Sequence, residues 1–193
     1  MYYITDAALR MQRLVQDLLA LSRAGRSTME HKRISLDICV DSALQALEAR
    51  IEETDAIIKR DKLPKVNIDP MMMTQLYQNL IGNALKFIRT DTRPDIYLTI
   101  EEENGSPVFG VLDNGIGIKP QYNTQVFAPF KCLHGRTEYE GSGIGLSICR
   151  KMVERHGGKL WVESVPGKGS HFKFTIEQNR PSNQAPAKYN RRK

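Results

Sequence analysis

Two turn dipeptides, Asn104-Gly105 and Pro166-Gly167, each separate a pair of short apolar runs, and this commits the chain to antiparallel hairpins. The runs Ile96–Glu101 and Val108–Leu112 form the first pair, and Lys159–Ser164 and His171–Ile176 form the second. Further strands are expected at Ala56–Lys59 and Lys65–Ile68, and Ile34, Leu36 and Ile38 alternate as a strand before a helix near Asp41–Glu53. Helical spacing returns at Met71–Phe87 through Leu76, Leu80, Ala84 and Phe87, with Pro70 suited to the first helical position. A last helix is expected over Gly143–His156, after an irregular stretch from Asn114 to Ser142. Segregated helices with hairpin-connected strands predict an α+β fold, a two-layer α/β sandwich with helices on one face of a mixed or antiparallel sheet.

The 193 residues suffice for one domain plus an appendage. The appendage is expected at residues 1–26. There Ile4, Ala8, Met11, Leu14, Val15, Leu18, Leu19 and Leu21 recur at three- and four-residue steps over a helix at 2–24, and Gly25 can stop it. This stripe approaches a heptad seam and expects a partner helix, although a plain amphipathic core helix fits the same spacing. The globular domain is expected over 27–177. The net charge of +6 suggests a nucleic-acid partner only until it is located. Arg180, Lys188, Arg191, Arg192 and Lys193 carry nearly all of it, in an acid-free tail at 178–193 with too few apolar groups to fold. Tyr189 is the single aromatic residue in that tail and offers no series of stacking positions, so a solvated terminus and no nucleic-acid partner are expected. No apolar run approaches the ~18 residues of a membrane span. Cys39, Cys132 and Cys149 are odd in number and scattered, which suits a reducing cytoplasm without a disulfide framework.

Three segments carry chemistry. In Gln75–Phe87, Asn79, Asn83 and Lys86 fall at i, i+4 and i+7 on one helix face. Two amide oxygens and an ammonium there suit a hydrated Mg²⁺ and a polyphosphate, though an amphipathic helix with a polar side accounts for them equally. In Val111–Ile118, Asp113 leaves a buried strand for a loop, where its carboxylate can accept from the exocyclic amine of adenine. Gly115 and Gly117 would let the backbone pass close to a flat ring, and a simple Asp-Asn-Gly turn is the plainer alternative. In Glu140–Gly158, Gly141, Gly143 and Gly145 precede a helix whose free N–H groups and dipole favour an anion. Leu146 stands where a dinucleotide fingerprint needs its third glycine, and no Gly-Lys-Ser/Thr string of a P-loop occurs.

Together these segments resemble, over residues 1–177, the catalytic ATP-binding domain of a two-component sensor histidine kinase in the Bergerat (GHKL) fold. Asn79–Phe87 resembles the N box and Asp113–Gly117 the first glycine box. Val126-Phe127-Ala-Pro-Phe130 resembles the F box, Gly141–Leu146 the second glycine box, and Pro166–Ser170 fits the last turn. The phrasing from Leu133-His134 to Trp161-Val-Glu-Ser resembles the subgroup behind PAS and phytochrome-like sensor modules. The resemblance implies ATP and Mg²⁺ as cofactors. It implies that Asp113 binds the adenine amine, that Asn83 and Asn79 serve the metal, and that Lys86 faces the phosphates. Gly115, Gly117, Phe130, Gly141, Gly143, Gly145 and Leu146 would then border the nucleotide. A flexible lid would span about Lys119 to Glu140, in which His134 and Arg136 could reach a phosphate.

ATPases similar to this fold place a Glu, as base for water, where this chain has Asn79, and an amide takes no proton near neutral pH. The pattern therefore favours phosphoryl transfer over hydrolysis. The family's acceptor histidine is followed by an acid and then a proline, but His31, His134, His156 and His171 precede Lys32, Gly135, Gly157 and Phe172. Each is read as a surface or packing histidine. Met11–Arg23 resembles the second helix of the dimerisation and phosphoacceptor hairpin, whose first helix is not in this chain. The expected protein is a kinase fragment that serves a histidine on the parent hairpin or another chain. It would act with a response regulator, in the cytoplasm, within a homodimeric parent. The alternatives are a non-catalytic nucleotide-binding docking module and an anti-sigma-type serine kinase, against which the N-terminal helix speaks. Purified chain given only Mg-ATP should acquire no acid-labile phosphate; radiolabel retained on the chain above background would contradict this.

Overall fold

The computed structural model describes residues 28–131 and 142–177. The expected helix at 2–24 and the basic tail at 178–193 lie outside the described residues, as do Cys132, His134, Arg136 and Gly141. The chain begins with β1 (Lys32–Ser35), α1 (Leu36–Ala46) and α2 (Glu48–Glu53). Here the expected strand through Ile38 is corrected. Ser35 turns its hydroxyl to accept from Asp37 N and so caps a helix that starts at Leu36. The apolar residues that count are Leu36, Cys39, Val40 and Ala43, a helical stripe wholly buried, while Ile38 faces outward.

β2 (Ile57–Arg60) and β3 (Lys65–Ile68) lead into α3 (Pro70–Lys86), whose start is fixed twice. Pro70 occupies the first turn, and Asp69 accepts from Met72 N at 3.1 Å. β4 (Asp95–Glu103) and β5 (Ser106–Asp113) form the hairpin anticipated at Asn104-Gly105, both of which adopt positive φ (52° and 75°). Single 3-10 turns at Pro120–Tyr122 and Gln125–Phe127 follow. α4 (Gly145–Arg155), β6 (Leu160–Val165) and β7 (Gly169–Phe174) complete the fold.

The main sheet runs β2-β4-β5-β7-β6, with β2 parallel to β4 and every other pair antiparallel, while β1 and β3 form a separate antiparallel ribbon. α1, α3 and α4 cover one face, giving the expected α+β sandwich. The register aligns core residues in rows across β4, β5, β7 and β6. One row is Ile100, Phe109, Phe174 and Leu160, and the next is Leu98, Val111, Phe172 and Val162. Tyr77 of α3 meets Phe174 edge-on at 5.8 Å between ring centres, and Phe127 meets Phe172 edge-on at 6.3 Å. Such aromatic contacts add about 0.5–1.5 kcal/mol each beyond the area they bury. The third row is Ile96, Asp113, Ser170 and Ser164, where the apolar layer gives way to polar side chains.

His156 closes the other end. It is buried, its Nε2 accepts from Asp69 N at 3.0 Å, and its Nδ1 lies 2.7 Å from Met152 O. A backbone N–H only donates and a carbonyl only accepts, so the ring is neutral with its proton on Nδ1. This is a packing histidine that joins the end of α4 to the cap of α3. Burial holds its pKa below the usual 6.5, against the opposing pull of the Met152 carbonyl. The unfolded chain therefore binds a proton first, and stability is lost as pH falls below about 6.5. Urea unfolding should show the wild type losing stability relative to His156→Gln between pH 7.5 and 5.5; a pH-independent difference would contradict it.

Candidate active site

The site is assembled from the polar side of α3, the end of β5, the start of α4 and the β6–β7 turn. Along α3, Leu76, Leu80, Ala84 and Leu85 are buried, while Asn79, Asn83 and Lys86 stand half-buried on another side. The start of α4 approaches this side closely: a Cβ on Gly145 would lie 3.8 Å from Asn79 Oδ1. Among the described residues the buried Asn79 amide nitrogen has no hydrogen-bond partner apart from its weak neighbour, the Cys149 thiol, which burial pushes up to about 12. The helix expected from Gly143 begins two residues later because Gly143 has φ +71°, outside helical range. Among the described residues no side chain caps α4, and a helix start of this kind favours an anion beside Asn79.

Asp113 stands in the third row of the core face. Its Oδ1 accepts from Gly115 N at 2.8 Å and from Ser170 N at 3.1 Å, which fixes the carboxylate plane. Burial pushes its pKa up to about 6, against the lowering pull of those two N–H groups. The loop after it is pinned to its surroundings. Ile116 N donates to Phe87 O at the end of α3, Gly167 N donates to Ile116 O, and Arg89 Nη1 donates to Gly167 O. A Cβ on Gly115 would collide with Phe87 O, and one on Gly117, at φ +70°, would collide with Val165 O.

The structure thus joins Asp113, Gly115 and Gly117 in one loop, and Asn79 with Gly145 across two helices. Asn83 lies one turn beyond Asn79, and its carboxamide makes no hydrogen bond among the described residues. Lys86 Nζ sits 4.3 Å from the centre of the Phe87 ring. Leu146 is half-buried against the core. Phe130 has φ +62° and an exposed ring, and its N–H donates to Gly143 O at 3.0 Å, tying the F-box segment to the glycine turn through the backbone. Gly141 lies outside the described residues. Ser170, Ser164, Arg89 and the Phe87 carbonyl were given no role from the sequence. In the sequence the Gly169-Ser170 pair signals only a turn, and the strand register that sets it opposite Asp113 has no signature in composition.

A divalent ion fits this donor set only in company. Among the described residues no three His, Cys, Asp or Glu converge. Amide oxygens on α3 would have to share an ion with phosphate oxygens and water, and Mg²⁺ accepts such a shell readily. Asp113→Asn keeps an oxygen for both N–H donors and removes a half-buried charge. Its melting temperature at pH 7.5 should hold or rise while affinity for an adenine nucleotide falls at least tenfold, about 1.4 kcal/mol. Calorimetry that found lower stability with unchanged affinity would contradict the assignment.

A family model described as histidine kinase-, DNA gyrase B- and HSP90-like ATPase matches residues 68–180. Cyanobacterial phytochrome A of a Nostoc species is 43% identical over 166 residues, covering 86% of this chain and 22% of that protein. The solved catalytic domain of histidine kinase ThkA aligns with a TM-score of 0.64 at 28% identity, covering 78% of this chain and 97% of that domain. Histidine kinase ThkA in complex with response regulator protein TrrA aligns with a TM-score of 0.70 at 25% identity, over 92% of this chain and 50% of that one. The chain spans under a quarter of the length of the first curated relatives it matches.

Proposed function

Because this chain belongs to the histidine kinase-, DNA gyrase B- and HSP90-like ATPase family, we propose that it is the ATP-binding catalytic domain of a phytochrome-like sensor histidine kinase. The observation that carries the reading is a half-buried carboxylate, Asp113, whose Oδ1 takes two backbone N–H groups, together with the start of α4 beside Asn79, which no side chain caps among the described residues. A purine amine suits the first, and a polyphosphate suits the second.

In this reading Asp113 holds the adenine amine, while Gly115 and Gly117 leave room for the ring. Gly141, Gly143 and Gly145 lead the backbone to the phosphates, which take the free N–H groups of α4. Leu146 and Phe130 border the nucleotide, and Lys86 reaches towards the phosphate charge. Asn83 holds Mg²⁺, with Asn79 assisting directly or through water. The ion supplies neutralisation of charge on the phosphoryl oxygens. The chain's own contribution is positioning and electrostatic support, as phosphoryl transfer requires. Asn79 offers no base to activate water, so the bound nucleotide is kept for an external nucleophile.

The acceptor in this account is a histidine on the parent hairpin, of which residues 1–26 form the second helix. Residues 27–177 are the catalytic domain, and 178–193 a basic tail. A response regulator then receives the phosphoryl group. The complex of ThkA with TrrA supports that partnership. A homodimer through the hairpin and a cytoplasmic setting belong to the same proposal. No described helix is long and apolar enough to cross a membrane.

The test combines this chain, γ-labelled ATP, Mg²⁺ and a separately prepared hairpin bearing the parent kinase's acceptor histidine. Acid-labile label should appear on the hairpin, and Asn83→Ala should lower its rate at least tenfold while flattening the Mg²⁺ dependence of nucleotide binding. Saturable binding without any transfer would favour the docking-module alternative instead.

A further inference from the structure

Behind Asp113 lies a chain of hydroxyl contacts that the reading above does not use. Ser164 Oγ accepts from Ile118 N at 2.8 Å and donates to Gly169 O at 2.8 Å. It also lies 3.0 Å from Ser170 Oγ, and Ser170 N donates to Asp113 Oδ1. A hydroxyl has one proton, and a carbonyl oxygen can only accept. The Gly169 contact therefore uses the only proton of Ser164. Between the two serines, Ser170 must be the donor. Ser170 stands opposite Asp113 in the strand register, and with its proton turned towards Ser164 its hydroxyl has only lone pairs left for any other neighbour.

We propose that Ser164 is a positioning residue that, by fixing the direction of the Ser170 hydroxyl, makes the base end of the pocket acceptor-only and so selects a 6-aminopurine over a 6-oxopurine. The inference rests on the reading of Asp113 as the base-binding carboxylate. An amino group at position 6 offers two protons, which an acceptor-only wall can take. A carbonyl at position 6 would set its oxygen against the lone pairs of Ser170. A 6-oxopurine could still give its N1–H to Asp113, so the carboxylate alone does not reject it. The fixed serine hydroxyl completes the rejection. If that hydroxyl were free to rotate, it would donate to the carbonyl and accommodate the wrong base. An unpaired buried polar group is the usual source of such discrimination, and a hydroxyl free to turn removes it.

The geometry around Ser164 is otherwise closed. A Cβ on Gly169, at φ +110°, would collide with Asp113 O, so this turn packs directly on the strand that carries the carboxylate. Ser164, Ser170 and Asp113 occupy one row on the helix-facing side of three adjacent strands.

The experiment is equilibrium binding of ADP and IDP to the wild type, Ser164→Ala and Ser164→Thr. The wild type should prefer ADP at least tenfold. Ser164→Ala should lower that ratio at least fivefold, chiefly through tighter IDP binding, and Ser164→Thr should restore it. In a Ser170→Ala background, Ser164→Ala should change the ratio no further. Equal weakening of both nucleotides in Ser164→Ala would show a merely structural role and overturn the proposal, as would an unchanged ratio. If Ser164→Ala fails to fold, Ser164→Cys nearly keeps the volume, weakens all three hydrogen bonds and is read in the same way. A folded wild type that binds neither nucleotide would overturn the base-site reading itself, and this inference with it.

Discussion

A carboxylate at the polar margin of the sheet's apolar face is the constraint around which the candidate site is arranged. Asp113 shares its row with Ile96, Ser170 and Ser164, and the two preceding rows are entirely hydrophobic. An ionised group there must be hydrogen-bonded or must find a ligand. Two backbone N–H groups satisfy Oδ1, yet burial still lifts the pKa to about 6. Near neutral pH the carboxylate is thus charged at some cost to stability, and a donor from a bound base would lower that cost. The surrounding loop tolerates no side chain at Gly115, Gly117 or Gly169, because the end of α3, the end of β6 and the Asp113 backbone occupy the space. Folding stability is here exchanged for a preformed acceptor.

α3 connects that acceptor to the start of α4, through Phe87 O at one end and Asn79 beside Gly145 further back. One side of it builds the core through Leu76, Tyr77, Leu80 and Ile81, and another presents Asn79, Asn83 and Lys86. Its first turn is capped by Asp69, which also receives the Glu30 N–H through Oδ2 and gives its own N–H to His156. The same helix is therefore fixed at its start by the incoming chain and the end of α4. At its end it is fixed by the Phe87 carbonyl, which receives Ile116 N. Amide side chains on so well anchored an element need little reorganisation to meet a polyphosphate at the start of α4.

Much of this was legible in the sequence because the signals were local. Asn104-Gly105 fixed a hairpin through two left-handed residues, and Pro70 placed the start of α3. The i, i+4, i+7 spacing of Asn79, Asn83 and Lys86 put them on one side. Where local signals competed, the reading erred. Ile34, Leu36 and Ile38 alternate, but Ser35 caps a helix that tertiary burial of Cys39, Val40 and Ala43 favours. The break between α1 and α2 at Leu47 had no glycine or proline to announce it. The sequence suggests that Gly115 leaves room for a flat ring, and the structure adds a second demand, space beside Phe87 O. Register across β5, β7 and β6 is a long-range property, so Ser170 and Ser164 were invisible as neighbours of Asp113.

The most direct test of this account is an NMR titration of the Asp113 side-chain carboxyl, followed with and without a saturating adenine nucleoside. The account predicts a midpoint near 6 in the free protein, moving lower when the base is bound, because a donor to the carboxylate favours its charged form. A midpoint at the ordinary aspartate value that ignores the nucleoside would contradict it, since Asp113 would then be neither desolvated nor in contact with the base.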